Sequence, residues 1–512
     1  MVGNLYDSGG IGHLIIDATL RFSSRVAFRD GGRDTTYSEF EALLSRACAT
    51  FTHLGLQPGD SIVQLVQNNV SGFALIAASY IYGLRSVTLQ PLSGIEDKLH
   101  IILETDCRLF VCDSAYAQMS EALRKRAPHI QHWRCHVPHA DWKCFWQETL
   151  DHAPQPLRCE VGSEDVIRIA YTGGTTGRPK GIELTSRSML ACAMQIMCGW
   201  SWPESPKYLC SMPMTHGAGA LIIPTLCKGG CVVFRQKFDA HDFVATLRAE
   251  ACNVTWLVPT AIYKLLDNPD HQREDWANMH ALVYSGAPMA HPRIKQAFRE
   301  FGPCLVQMYG QTEAPSAVLT LTQYDHQLED EEILGSAGRP FPGVRVTLLG
   351  DTGAPVPPGQ IGEICVRGPI VMNGYLGQPE ATQTALSGDW LHTGDLAMET
   401  SRGYLVIVDR KKDMIITGGF NVYPKEVEDA LSQHPAVTAV AVVGEPDPLW
   451  GEIVVAYAEL RPGADVPGES ELIEFVKQRK SSINCPKKVR FIEAMPLTNF
   501  GKIDKKALRK AD

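Results

Sequence analysis

Between Tyr171 and Gly181 the chain reads YTGGTTGRPKG, a set of glycines, threonine hydroxyls and one lysine placed directly after the apolar run VIRIAYT. This is the composition of a phosphate-gripping loop. Gly173, Gly174 and Gly177 admit backbone conformations that turn consecutive N–H groups toward an anion, Thr172, Thr175 and Thr176 add hydroxyl donors, and Lys180 adds charge. It is not a Walker A loop. That motif places Ser or Thr after its Gly-Lys and opens a helix there, whereas Lys180 stands between Pro179 and Gly181. A glycine-rich hairpin turn has the same composition, so the loop alone leaves both readings open.

Five further segments follow in order: YGQTE at Tyr309–Glu313, LHTGD at Leu391–Asp395, DRKKDMIITGGFNVYPKEVE from Asp409 to Glu428, PDPLWGE ending at Glu452, and PLTNFGKIDKKAL from Pro496 to Leu508. With the loop, they resemble the adenylate-forming enzyme superfamily, which includes acyl-CoA synthetases, adenylation domains and firefly luciferases. The resemblance spans nearly the whole chain. One position departs from it: Gly173 stands where the family usually carries a hydroxyl residue, which removes a side-chain donor and keeps the backbone cradle.

The chemistry implied is activation of a carboxylate, a poor acyl donor until it has displaced pyrophosphate from ATP. Two anions must meet, so the site needs preorganised positive groups that follow the charge developing on the α-phosphate. The resemblance implies ATP, Mg²⁺ and coenzyme A as cofactor and substrates. It makes Lys502 the catalytic lysine, reaching from a small domain to the α-phosphate, with Thr312 also at that phosphate. Glu313 becomes the magnesium ligand, since Mg²⁺ takes one or two carboxylates plus phosphate oxygens and waters. Tyr309 would stack on adenine against the Gly286–Ala287–Pro288 backbone, with Gly310 and Gln311 in the same turn. Asp395 would accept the ribose hydroxyls, and Arg410 would add a ribose contact. Without the resemblance, Lys502 is one lysine among several on an exposed C-terminal helix, Glu313 a surface acid and Asp395 a turn residue.

The same resemblance assigns a second half-reaction, in which the small domain rotates about Lys412 and brings Gly418 and Gly419 to line a pantetheine tunnel. TGGFN resembles the CoA-using ligases; fatty acyl-AMP ligases more often show Gly-Arg-Asn there. Trp450 would pack near the nucleotide end of CoA or else sit in a core. For the acid, His216 matches a gating position between acyl pocket and tunnel, although an isolated His is also an ordinary structural residue. Gly217, Ala218, Gly219 and Ala220 leave room for a bulky group, and Met214, Val258, Ala261, Ile262, Met289 and Met308 would give apolar walls. No acidic residue appears where amino-acid-activating relatives hold an ammonium. The expectation is a carboxylic acid–CoA ligase for a medium or long alkyl acid or an aromatic acid. Its rival is an adenylating enzyme that loads an acyl carrier protein.

Strand-like and helix-like segments alternate to position these residues. VIRIAYT reads as a buried strand, Ser186 as the cap of a helix running to about Cys198, and GGCVVF, Asp239–Glu250, VTWLV, ALVYS, Ala290–Phe301 and CLVQM as further strand and helix alternation. Such alternation means parallel sheets covered by helices, with ligands at the carboxyl ends of the strands. Turn-rich sequence from Gly335 to Gly374 implies a β-rich section. After Arg410 a small α/β unit follows. The fold expected is α/β, a large domain over 1–409 with helix-covered sheets and a β-rich section, and a small mobile α/β domain over 410–512. The charged run Asp409–Asp413 marks the boundary and also reads as a solvated surface loop.

Composition narrows the function. A chain of 512 residues with 45% hydrophobic residues can bury several cores. The net charge of −9 argues against nucleic-acid binding, which draws on excess Lys and Arg. The fifteen cysteines form no C-x-x-C pair, no His cluster has zinc spacing, and Cys192, Cys198 and Cys231 lie in apolar runs, so reduced core thiols are expected. MVGNLYDSGG has no secretory pattern, Gly72–Leu84 is too short to span a bilayer, and the C-terminus carries no prenylation or peroxisomal signal. A cytoplasmic protein is the expectation.

Overall fold

The computed structural model describes residues 9–139, 142–172, 179–328, 330–461, 463, 465–480, 482–497 and 503–509. Gly173, Gly174, Thr175, Thr176, Gly177 and Lys502 lie outside the described residues. Among the described residues the strands form four sheets, of nine, seven, five and five strands.

In the nine-stranded sheet, Lys207–Cys210, Cys231–Phe234, Val254–Leu257, Ala281–Tyr284 and Leu305–Tyr309 run parallel. Side chains alternate across a strand, and here they alternate between two cores. Val254, Trp256, Ala281, Val283, Val306 and Met308 face the large central cluster. Leu257, Leu282, Tyr284 and Leu305 face a second cluster with Phe243, Leu247, Ile262 and Ile294 from the helices Ala240–Glu250, Pro259–Leu266 and His291–Phe301.

The seven-stranded sheet repeats the device. Ile62, Leu109, Val111 and Ile167 point into the central cluster, while Val63, Phe110, Cys112 and Ile169 point into a third cluster. Two sheets therefore enclose the central core. The helix Val70–Tyr82 is buried almost all round, which explains its continuous apolar sequence, because a helix apolar on every side belongs inside a large domain. Asn69 starts it by accepting Gly72 N–H at 2.7 Å, and Gly83 ends it at φ 90°. Each fully buried Leu, Ile or Phe contributes about 1.5–3 kcal/mol. Among the described residues no helix is long and apolar enough to cross a membrane.

The β-rich section is antiparallel, with Arg345–Leu349, Ile361–Arg367, Trp390–Glu399 and Leu405–Arg410 as its long strands. One face, carrying Val346, Leu348, Ile364 and Val366, closes the central core. Beyond Arg410 the strands Val437–Asp447 and Gly451–Leu460 carry cores of their own on both faces, one under the helices Pro424–Leu431 and Glu469–Lys477 and the other under Met495 and Leu508.

Four local expectations are corrected. Ser186 is the first helical residue of Ser186–Cys198, and Thr185 is the cap, its hydroxyl accepting Ser188 N–H at 3.2 Å. Val166–Thr172 is a half-buried strand, pairing in parallel with Arg85–Thr88 on one side and antiparallel with Lys180–Thr185 on the other. Cys198 is exposed, since it sits in the last turn of its helix on the solvent side, whereas Cys192 is buried. Asp409 is no solvated loop residue; it is buried and accepts backbone N–H groups from Arg410 and Lys425.

Candidate active site

The segment between Tyr171 and Gly181 joins two antiparallel strands, with Thr172 opposite Lys180 in register. The hairpin reading is thus correct as topology, and it does not compete with phosphate binding, since the connection carries the glycines either way. Lys180 opens the second strand, and its ammonium lies 5.2 Å from the centre of the Tyr375 ring. Tyr375 is there because Gly374–Tyr375 pairs with Lys180–Thr185. Its hydroxyl donates to Glu313 Oε1 at 2.9 Å, and burial together with that carboxylate raises the phenol's pKa. The structure thereby gathers Lys180, Tyr375 and Glu313 into one group.

A second group forms around Asp395. This residue lies inside the strand Trp390–Glu399, not in a free turn. The register with Ile361–Arg367 shifts between Glu363 and Cys365, and Gly394 takes φ 73° in the resulting bulge. Asp395 is 5% exposed. Its Oδ2 accepts from Tyr309 Oη at 2.6 Å and from Gln311 Nε2 at 2.8 Å, and Arg410 Nε stands 3.2 Å from Oδ1. Burial first, and the adjacent carboxylate second, push the Tyr309 phenol well above its ordinary value, so it remains a donor. A carboxylate oxygen accepts about two hydrogen bonds, which leaves Oδ1 as the acceptor for a hydroxyl. The bulge is braced from behind: Gly394 N–H donates to Glu363 Oε1 at 2.9 Å, and Asp395 N–H to Thr393 Oγ1 at 3.1 Å.

One loop connects the two groups. Tyr309 ends the strand Leu305–Tyr309, and Gly310, Gln311, Thr312 and Glu313 follow directly. The chain then folds back, Gln311 N–H bonding Ala314 O and Val318 N–H bonding Tyr309 O. A Cβ on Gly310 would lie 2.6 Å from the Ser316 backbone, so only glycine fits. Gly286, Ala287 and Pro288 lie exposed at the end of the neighbouring strand Ala281–Tyr284, where a parallel sheet presents its ligand-binding edge.

The apolar set is divided. Met214, Ala218 and Met308 belong to the central core, Val258 touches both cores, and Ala261, Ile262 and Met289 pack under the outer helices on the opposite face of the sheet. His216 is half-buried beside them, its Nδ1 2.9 Å from Thr215 Oγ1. A Cβ on Gly217 would meet the Trp256 ring at 2.6 Å. Sequence reading missed Trp256 and Tyr375, because the first acts through Gly217 of a helical turn distant in sequence and the second through a strand pairing.

On the C-terminal unit, Gly418 and Gly419 form the two-residue turn between Ile415–Thr417 and Phe420–Val422, at φ 56° and 80°. Gly418 N–H donates to Trp450 O at 2.9 Å, and the Trp450 ring lies against Gly418, so this indole packs on the turn while remaining 44% exposed. Lys412 is exposed two residues after Arg410.

Known proteins match this arrangement along the whole chain. The AMP-binding enzyme family model matches residues 17–376, and the model for the AMP-binding enzyme C-terminal domain matches 426–502. A medium/long-chain-fatty-acid–CoA ligase of Mycobacterium tuberculosis is 36% identical over 97% of this chain and 89% of its own. A feruloyl-CoA synthase of an Amycolatopsis species is 34% identical over 95% of each chain. The solved structure of an amide bond synthetase from Marinactinospora thermotolerans superposes with a TM-score of 0.90 at 30% identity, covering 98% of this chain and 99% of the other. The chain belongs to the AMP-binding enzyme family of adenylate-forming ligases, and its chemistry is ATP-dependent, AMP-forming joining of a carboxylic acid to a thiol, CoA being the thiol of the CoA-ligase relatives.

Proposed function

We propose that this protein activates an apolar carboxylic acid, a medium or long alkyl acid or an aromatic acid, as its adenylate and passes the acyl group to CoA. The observation that carries the reading is the joining of the Asp395 group to the Lys180–Tyr375–Glu313 group through the Tyr309–Glu313 loop, whose two ends contact the proposed ribose acceptor and carry the proposed phosphate-side acid. The acid class is supported by the buried methionines and small residues around Gly217 and by the substrates named for the fatty-acid and feruloyl relatives. The proposed wall nearest the central core would draw on Met214, Ala218, Val258, Met308 and Trp256, which belong to that core or pack against it.

In the first half-reaction the acid's carboxylate oxygen attacks the α-phosphorus and pyrophosphate leaves; Lys502 and Thr312 follow the charge on the phosphate while Tyr309, Asp395 and Arg410 hold the nucleoside. Glu313, an oxygen donor held by Tyr375, fits the preference of Mg²⁺ for a carboxylate beside phosphate oxygens. When bound, that ion neutralises the departing pyrophosphate. In the second half-reaction the thiol attacks the acyl carbon and AMP leaves. The unit from 410 to 512 then pivots near Lys412, exchanging Lys502 for Gly418 and Gly419.

The test is to incubate the protein with ATP, Mg²⁺ and a panel of alkyl, aryl and amino acids, with CoA, a pantetheinylated carrier protein or a simple amine, and weigh the products. An acyl-CoA with released AMP is expected from apolar acids. Product only with the carrier or the amine would overturn the acceptor. Lys502→Ala should lower adenylation roughly 10²–10³-fold, the loss typical of a group aimed at developing charge, while a supplied adenylate still reacts with CoA.

A further inference from the structure

Behind the Asp395 bulge lies a cluster of which the bulge engages only Glu363 Oε1. Glu363 and Cys365 are two apart on the strand Ile361–Arg367, and His392 is the cross-strand partner of Cys365 on Trp390–Glu399. All three project from the sheet face opposite Ile364 and Val366, which are committed to the central core. His392 Nδ1 is 3.5 Å from Cys365 Sγ and 3.2 Å from Glu363 Oε2, and the three donor atoms lie within 4.8 Å of one another. Around a tetrahedral zinc ion, bond lengths of about 2.3 Å to sulfur and about 2.0–2.2 Å to nitrogen and oxygen put S and N about 3.5 Å apart and N and O about 3.4 Å apart. The observed separations match both.

We propose that Glu363, Cys365 and His392 form a binding site for a zinc-like divalent transition-metal ion, distinct from the nucleotide's magnesium. The donor set selects for it: thiolate and imidazole favour Zn²⁺ and Co²⁺, whereas Mg²⁺ requires oxygen. A cavity of about 330 Å³ lined by Thr347, Leu349, Pro355, Trp390 and His392 adjoins the same face and would give a water room to serve as fourth ligand. Thr347 and Leu349 are the register partners of Cys365 and Glu363, which places the cavity on the ligand side of the sheet.

The charges also close. The Cys365 S–H bond breaks as the sulfur–metal bond forms, its proton leaves to solvent, and thiolate plus carboxylate neutralise a dication. Lys411 now contacts Glu363 Oε2 at 3.5 Å, but its ammonium is half exposed and has Asp351 at 4.0 Å as an alternative partner. Glu363 Oε1 meanwhile receives Gly394 N–H. One carboxylate thus links the ion to the turn that carries Asp395.

The test is a titration of the full-length, chelator-stripped protein with Co²⁺ in excess Mg²⁺. One equivalent should produce tetrahedral visible bands with a thiolate-to-cobalt charge-transfer absorption, and Zn²⁺ should bleach both. Cys365→Ser should remove the charge-transfer absorption, and His392→Gln, at a partly exposed position, should weaken Co²⁺ binding more than about tenfold. The absence of tetrahedral absorption would reduce the cluster to a hydrogen-bonded triad and overturn the proposal. So would an absorption that survives both substitutions, which would belong to another of the fifteen cysteines.

Discussion

Two tight glycine-containing devices, proposed above for the two halves of this chemistry, are held in opposite ways. The Gly394–Asp395 bulge is locked by side chains: Tyr309, Gln311 and Arg410 converge on the carboxylate, and Glu363 and Thr393 hold the backbone. The Gly418–Gly419 turn is held by backbone geometry and one bond to Trp450 O, and its surroundings are exposed and apolar, with Ile416, Phe420, Leu449 and Trp450 all reaching solvent. The difference teaches that the proposed nucleotide side is preorganised by converging side chains, whereas the proposed thiol side is an exposed surface. Preorganised polar groups are suited to developing charge. An exposed apolar rim suits a part that docks and undocks.

The sharpest way to break this contrast is to burden the glycine turn. Gly419→Leu should lower thioester formation about a hundredfold, the size of effect expected when a reacting group is displaced by about an ångström, with ATP–pyrophosphate exchange retained. A Cβ at Gly419 meets no atom within 4 Å, so the local cost is the strain of φ 80°, about 1–2 kcal/mol. Equal loss of both half-reactions would mean that the turn serves folding alone. The converse burden falls on the bulge. Asp395→Asn preserves shape but weakens charge-assisted bonds worth about 1.5–3 kcal/mol, so exchange should fall roughly 10- to 100-fold, chiefly through the ATP KM. Unchanged exchange would remove Asp395 from the nucleotide. Smallest is Tyr375→Phe, which deletes one bond to Glu313 worth about 1 kcal/mol. Adenylation should drop about fivefold while transfer from supplied adenylate is unaltered; an equal drop in both would detach Tyr375 from the phosphate side.

Much of the fold was legible because short apolar strand runs and amphipathic helices alternate and are bounded by turn residues in both units. Val254–Leu257, His291–Phe301, Pro424–Leu431 and Glu469–Lys477 lie where the pattern puts them. What stayed hidden depends on partners distant in sequence. That Asp395 sits in a bulge follows from the pairing of Trp390–Glu399 with Ile361–Arg367. The division of Met214 from Met289 follows from which face of one sheet each element covers. Apolar residues announce burial without saying in which core, and Cys365 and His392 carry no local signal because only strand register brings them together.

The contact between Gly217 and Trp256 has a consequence for how the proposed acid pocket can be altered. A side chain at 217 would enter the space occupied by the indole at 256, one residue from a short helical turn and the other from a central strand. Residue 217 can therefore be enlarged only if the indole shifts or shrinks, whereas 256 can be reduced by itself. Selection for bulk at 217 is expected to pass through a smaller residue at 256 first.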